Sequence, residues 1–187
     1  LRLPTGIQDH LAASVGGVLA IHHKPGGELV EPLDTDLEGL SRCLLVAYSG
    51  ESHLSAATNW QVVRARLDGC STLEKAFEEL AAASGEARSA LLSRDWEKLA
   101  CAVGRDWAAR ARFAPGVLTP RLEALFQAAE ELGAWGWKAC GAGGGGSALV
   151  LAPPERLASI REVWTSMGAQ PLLRATLTSS GLEFEVA

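Results

Sequence analysis

Apolar positions recur at helical spacing through the middle of the chain: Leu73, Phe77 and Leu80, then Trp96, Leu99 and Val103, then Leu122, Leu125, Phe126 and Ala129. About four helices fit between residues 55 and 133, with breaks expected at Asp68-Gly69, Ser84-Gly85 and Ala114-Pro115-Gly116, where the residues disfavour helix continuation. The flanks read differently. Residues 8–15 form a short helix, closed by Gly16-Gly17 because glycine accepts the left-handed turn that ends a helix. Residues 18–22 and 28–32 flank Lys24-Pro25-Gly26-Gly27 and predict a hairpin. Residues 43–48 are a compact apolar run, a buried strand ended by Ser49-Gly50. Beyond Gly133 come a strand at 137–140, a glycine run, a strand at 148–152, a helix at 155–167, and strands near 172–178 and 182–186. The fold class expected is α+β.

Composition narrows the function. The chain has 187 residues, 48% hydrophobic and 21% charged, which places it with folded globular proteins rather than disordered or fibrous ones. A net charge of −5 leaves no basic excess to displace counterions from a phosphate backbone, so no nucleic-acid partner is expected. The weakly polar run 11–21 is too short to span a bilayer and lacks a basic lead, so neither a membrane partner nor a signal peptide is read. Cys43, Cys70, Cys101 and Cys140 form no C-x-x-C pair, which fits inert thiols in a reducing, cytoplasmic compartment. The opening Leu1-Arg2-Leu3-Pro4 reads like the interior of a longer sequence.

Glycine is concentrated: six of the 20 fall between Gly136 and Gly146. Gly141-Ala142-Gly143-Gly144-Gly145-Gly146 satisfies G-x-G-x-x-G, but a strand follows it where a dinucleotide site needs a helix. It also lacks the Gly-Lys-Ser/Thr ending of a P-loop, since Lys138 precedes it. What remains is either a crowded bend between strands or a concave row of amides able to face an anion.

These residues resemble the GHMP small-molecule kinases. Lys138-Ala139-Cys140-Gly141-Ala142-Gly143-Gly144-Gly145-Gly146 is similar to their third motif, and Pro153-Pro154-Glu155 follows the next strand as in the sugar-kinase members. Residues 113–122 (Phe113-Ala114-Pro115-Gly116 onward) and Tyr48-Ser49-Gly50 resemble segments of the heptose-phosphate kinase branch. Gly6-Ile7-Gln8-Asp9-His10, followed by Gly16-Gly17, is similar to the Gly-x-Gln-Asp-Gln segment of sugar and heptose kinases, with His10 replacing the second glutamine.

The resemblance implies a ferredoxin-like α/β sandwich with a helical insertion over residues 43–187, and the end of an N-terminal kinase domain over residues 1–42. It implies ATP-dependent phosphorylation of a sugar or sugar phosphate, with Asp9 as catalytic base, Gly6 and Gln8 shaping the substrate pocket, and Gly141, Ala142, Gly143, Gly144 and Gly145 facing nucleotide phosphates. ATP and Mg²⁺ are the implied cofactors. The family's Pro-x-x-x-Gly-Leu-x-Ser-Ser loop, which holds most of the ligands for both, is not found in residues 1–187, so a fragment lacking the ATP loop is expected. The partner implied is the sugar substrate, with a homodimer left open.

Other features read more plainly. Asp9 taken alone is a first-turn carboxylate favoured by the helix dipole. His22 and His23 are adjacent on a strand and point to opposite faces, so they cannot share one metal ion, and no metal site is expected. His53 has no partner at ligand spacing. Trp96 and Trp107 sit at core positions, whereas Trp135 and Trp137 flank the glycine run and are candidates to face a ligand. Arg105, Asp106, Arg110 and Arg112 read as a solvated, ion-paired helix face. The reading from a different class is a non-catalytic module of the same fold that binds a small anion or mediates assembly.

Overall fold

The computed structural model describes residues 6–52, 55–172 and 176–183. Helix α1 (Gln8–Val15) ends at Gly16, whose φ of 76° is open to glycine and strained for other residues. Strands β1 (Val18–Lys24) and β2 (Gly27–Leu33) pair antiparallel, with Val18 opposite Leu33 and Lys24 opposite Gly27, as a two-stranded sheet of their own. A short helix, α2 (Leu37–Arg42), follows. The hydrophobic spacing does not announce it, and it starts because the Asp36 carboxylate accepts the Gly39 N–H at 2.9 Å.

The main sheet is built around β3 (Leu44–Tyr48) and β5 (Ser147–Leu151), antiparallel neighbours with Leu44 opposite Leu151 and Tyr48 opposite Ser147. Strand β4 (Gly136–Ala139) lies outside β5, and β6 (Gln170–Pro171) outside β3, giving the order β4-β5-β3-β6. Alternation sends Leu45, Ala47, Ala148 and Val150 to one face, where they meet Leu122, Leu125, Phe126, Ile160 and Trp164. The helices on that face are α6 (Pro120–Glu131) and α7 (Pro154–Ser166). The fully buried Trp164 donates its indole N–H to the Leu125 carbonyl at 2.8 Å, so the largest core side chain leaves no polar atom unsatisfied.

A second cluster joins Leu40, Cys43 and Leu151 to Ala90, Leu99 and Ala100, with Val18, Trp96 and Trp135 packed against it. It holds the first part of the chain onto α4 (Ser71–Ser93) and α5 (Trp96–Arg110). With α3 (Ser55–Leu67), four helices occupy the middle, as the periodicity predicts. One break differs. Helix α4 runs through Ser84-Gly85, where no added Cβ would meet anything, and ends instead at Arg94, which takes the left-handed conformation before Asp95 caps α5 by accepting the Lys98 N–H at 3.0 Å. A glycine in a helix interior costs only about 1 kcal/mol, and the flanking Leu80, Ala83, Ala87 and Ala90 outweigh it by packing.

The tail departs from expectation as well. Of the strand expected at 172–178, the Leu172 N–H bonds to the Val46 carbonyl, residues 173–175 lie outside the described residues, and Thr176–Thr178 is not a strand. Of the strand expected at 182–186, Leu182 and Glu183 are irregular and residues 184–186 lie outside the described residues. The described tail packs on α1 instead: the Gly17 N–H donates to the Thr178 carbonyl at 2.9 Å and the Leu182 N–H to the Ser14 carbonyl at 3.3 Å.

Candidate functional site

A cavity of about 920 Å³ lies between the hairpin, α1, α4 and α5. Gln8 and Asp9 line it from α1, Asp106 from α5 and Lys138 from β4, among aliphatic walls that include Leu19, Ile21, Leu80 and Val103. Asp9 and Gln8 are exposed, and α1 has no buried residue, so packing on its own helix does not fix them. What fixes the helix is its interlock with the tail. A Cβ on Gly16 would stand 2.3 Å from the Ser180 carbonyl carbon, and one on Gly181 would stand 2.2 Å from the Ser14 oxygen.

Elsewhere on the lining, the Lys138 ammonium donates to the Asp106 carboxylate at 2.5 Å, with side chains 23% and 13% exposed. Arg110 approaches the same carboxylate oxygen at 3.9 Å, and its Nε is buried without a hydrogen-bond partner among the described residues. Asp106 and Arg110 therefore do not lie on a solvated face. They fall in register with Leu99 and Val103 on the inward stripe of α5, and only Arg105 and Arg112 keep the exposed, ion-paired character expected, with Glu86 and Glu79. A carboxylate at a core position of an amphipathic helix is the sequence signal that identifies Asp106. Next to Lys138, part of Cys140 reaches the surface, but desolvation of its thiol is the largest influence and pushes the pKa up; Lys138 acts in the opposite sense and Asp9 in the same sense. Asp9, Lys138 and the residue that opens the glycine run thus share one electrostatic neighbourhood.

The run itself is a packed turn. Gly141, Gly143, Gly144, Gly145 and Gly146 all have positive φ. Gly143 also needs the absence of a side chain, because a Cβ there would stand 2.7 Å from Val117 Cγ1 and 2.8 Å from its carbonyl oxygen. One of the amides expected to face the phosphates is already used, since Gly144 N–H donates to the Val117 carbonyl, and Gly146 N–H at the end of the run donates to the Glu51 carbonyl, each at 2.7 Å. The amides of Gly141, Ala142, Gly143 and Gly145 bond to no backbone carbonyl among the described residues. The run therefore combines the two sequence readings, a crowded bend with a remaining short row of unengaged donors.

Of the expected site residues, Gln8 and Asp9 line the cavity with Lys138, Gly6 precedes α1 in an exposed position, and Gly141 to Gly145 are not among the residues that line it. Trp137 is partly buried. It stacks on Phe126 with centroids 6.3 Å apart, against the main core, and Trp135 packs on the second cluster. His22 bonds to Glu31 at 2.9 Å, and His53 lies outside the described residues. No group of three metal-ligating side chains is present among the described residues, so the carboxylates here do not by themselves fit a Mg²⁺ ion.

Comparison with known proteins bears on this arrangement. Residues 87–170 match the family model described as GHMP kinases C terminal. These enzymes are phosphotransferases that use ATP and typically Mg²⁺. A mevalonate kinase of Saccharolobus solfataricus is 24% identical over 178 residues, covering 95% of this chain and 52% of that protein. Among solved structures, the L. major mevalonate kinase in complex with R-mevalonate superposes with a TM-score of 0.71 at 18% identity, covering 90% of this chain and 52% of that one. A D-glycero-D-manno-heptose 1-phosphate kinase from Bacteriodes thetaiotaomicron gives a TM-score of 0.65 at 16% identity, covering 97% and 50%. The chain spans about half the length of the relatives it matches. The fold is the α+β fold of the GHMP C-terminal domain. No helix among the described residues is long and apolar enough to cross a membrane.

Proposed function

We propose that this chain is the acceptor-side part of an ATP-dependent kinase for a sugar or sugar phosphate, in which residues 1–42 end one kinase domain and residues 43–187 form the next. The observation that carries the reading is that Asp9 and Lys138, the latter leading directly into the glycine run, line one cavity. In this reading Asp9 accepts the proton of the acceptor hydroxyl as its oxygen bonds to the γ-phosphorus and the bond to the ADP oxygen breaks. Gln8, beside it on the cavity wall, orients the acceptor, and Gly6 leaves the entry to α1 open. The unengaged amides of Ala142, Gly143 and Gly145 serve the donor's phosphates. Mg²⁺ is bound with the donor phosphates through groups outside this set.

The test is Asp9→Asn in the natural full-length protein. Loss of a positioned base lowers kcat by about 10²–10⁴-fold, with the KM for ATP within a factor of about two, as expected when the lost interaction is made only in the transition state. Retained turnover removes Asp9 from the role and with it this reading of the cavity.

A further inference from the structure

Beside the cavity, Lys138 and Arg110 share one carboxylate partner. Asp106 is flanked by Lys138 at 2.5 Å and by Arg110 at 3.9 Å, one carboxylate against two cations. All three side chains are at most 25% exposed, so solvent screens the surplus poorly. An ammonium has three N–H donors, and among the described residues the Lys138 ammonium uses one of them, on Asp106. The Arg110 Nε is buried and unpartnered as well. No ion pair joins Asp9 to Lys138 or Arg110 among the described residues. Replacing a pair of this kind with apolar side chains is often neutral or stabilising, so Lys138 has little structural reason to be an ammonium. Leu19, Ile21, Leu80 and Val103 line the same cavity together with the polar side chains of Gln8, His22, His23, Lys24, Ser84 and Arg88.

We propose that Lys138, steadied by Asp106, recognises an anionic substituent of the acceptor, so that the alcohol phosphorylated carries a phosphate or a carboxylate and is not a neutral sugar. The inference rests on the reading of this cavity as the acceptor site. Asp106 is a positioning residue: it holds the ammonium at the wall and lowers the cluster's charge to a single positive unit, which one anionic group offsets.

Two measurements separate this from the function proposed above. In calorimetry on the 187-residue chain, galactose phosphate and mevalonate are expected to bind at least about tenfold more tightly than galactose, the scale of one charge-assisted hydrogen bond. The two anions distinguish a phosphate source from a carboxylate source. Lys138→Met is expected to abolish the preference and Lys138→Arg to keep most of it. Equal affinity for the neutral and anionic probes, or a preference that survives Lys138→Met, overturns the proposal whether or not Asp9 is a base. In steady-state assays of the natural full-length protein, Lys138→Met is expected to raise the acceptor KM about tenfold and leave the KM for ATP unchanged. A rise confined to the ATP KM would instead assign Lys138 to the nucleotide and overturn the proposal. Turnover surviving Asp9→Asn with the Lys138 effects intact sinks the base assignment alone.

Discussion

Glu31 holds two partners at once: the Arg88 guanidinium, through both Nε and a terminal nitrogen, and the His22 ring at 2.9 Å. The hydrogen bond from Arg88 is the largest cause, followed by that from His22, of a carboxyl pKa lowered from 4.5 to about 2. A depressed carboxyl pKa contributes stability that is complete above the unfolded value and is lost as pH falls toward the folded one. The contact between β2 and α4 is therefore expected to weaken between pH 4.5 and about 2, and to be unaffected above that window. Because the side chains are about one-third exposed, the effect is small and salt-sensitive. Thermal melts across this window check it: Glu31→Gln should melt lower than wild type at neutral pH, and the gap should close in acid. An unchanged gap at the acid end would show that the cluster does not tie the hairpin down. The sequence signals the pieces but not the partnership, because Glu31 and Arg88 are 57 positions apart and only the hairpin register and the α4 face bring them together.

At the level of elements, the chain announces whatever is local. The bounds of α1, the hairpin, the buried strand β3 and the helix after Pro153-Pro154 follow from caps, glycines and apolar spacing. Two failures share one cause. Ser84-Gly85 carries a breaker signal that long-range packing of α4 overrides, and the tail carries a strand pattern that its contact with α1 replaces. Close backbone approach is equally invisible to periodicity. Gly136 opens β4 against α5, and a Cβ there would stand 2.2 Å from the Ala100 oxygen and 2.8 Å from its carbonyl carbon, both rigid backbone. Gly136→Ala must push β4 and α5 apart, in the segment that carries Lys138 and Asp106. Overpacking of this sort costs about 1–3 kcal/mol, so chemical denaturation should show that loss with an unchanged m-value. A variant as stable as wild type would mean that the two elements slide without penalty. Gly85→Ala is the contrasting case, since its added methyl meets nothing and removes glycine's entropy cost, and it should stabilise α4 by about 0.5–1 kcal/mol.

For the whole molecule, the candidate site divides between what one chain position can signal and what only the fold can assemble. Asp9 and the glycine run stand out by motif, whereas the pairing of Asp106 with Lys138 becomes visible only once α5 and β4 are brought together. The division also bears on nucleotide affinity. The glycine run has committed the Gly144 and Gly146 amides to Val117 and Glu51, and four amides there have no backbone partner among the described residues. No cluster of three metal ligands stands among the described residues to bring a cation to the phosphates. A triphosphate held by a few backbone donors without its cation keeps most of its charge uncompensated, while binding still costs about 4 kcal/mol or more of lost translational and rotational freedom. The 187-residue chain is accordingly expected to bind ATP weakly, with a Kd well above the micromolar range, with or without added Mg²⁺. Calorimetry decides the point: micromolar binding would require a second set of phosphate contacts within these residues, whereas weak binding alongside a measurable anionic acceptor would place the acceptor half of the reaction centre in this chain.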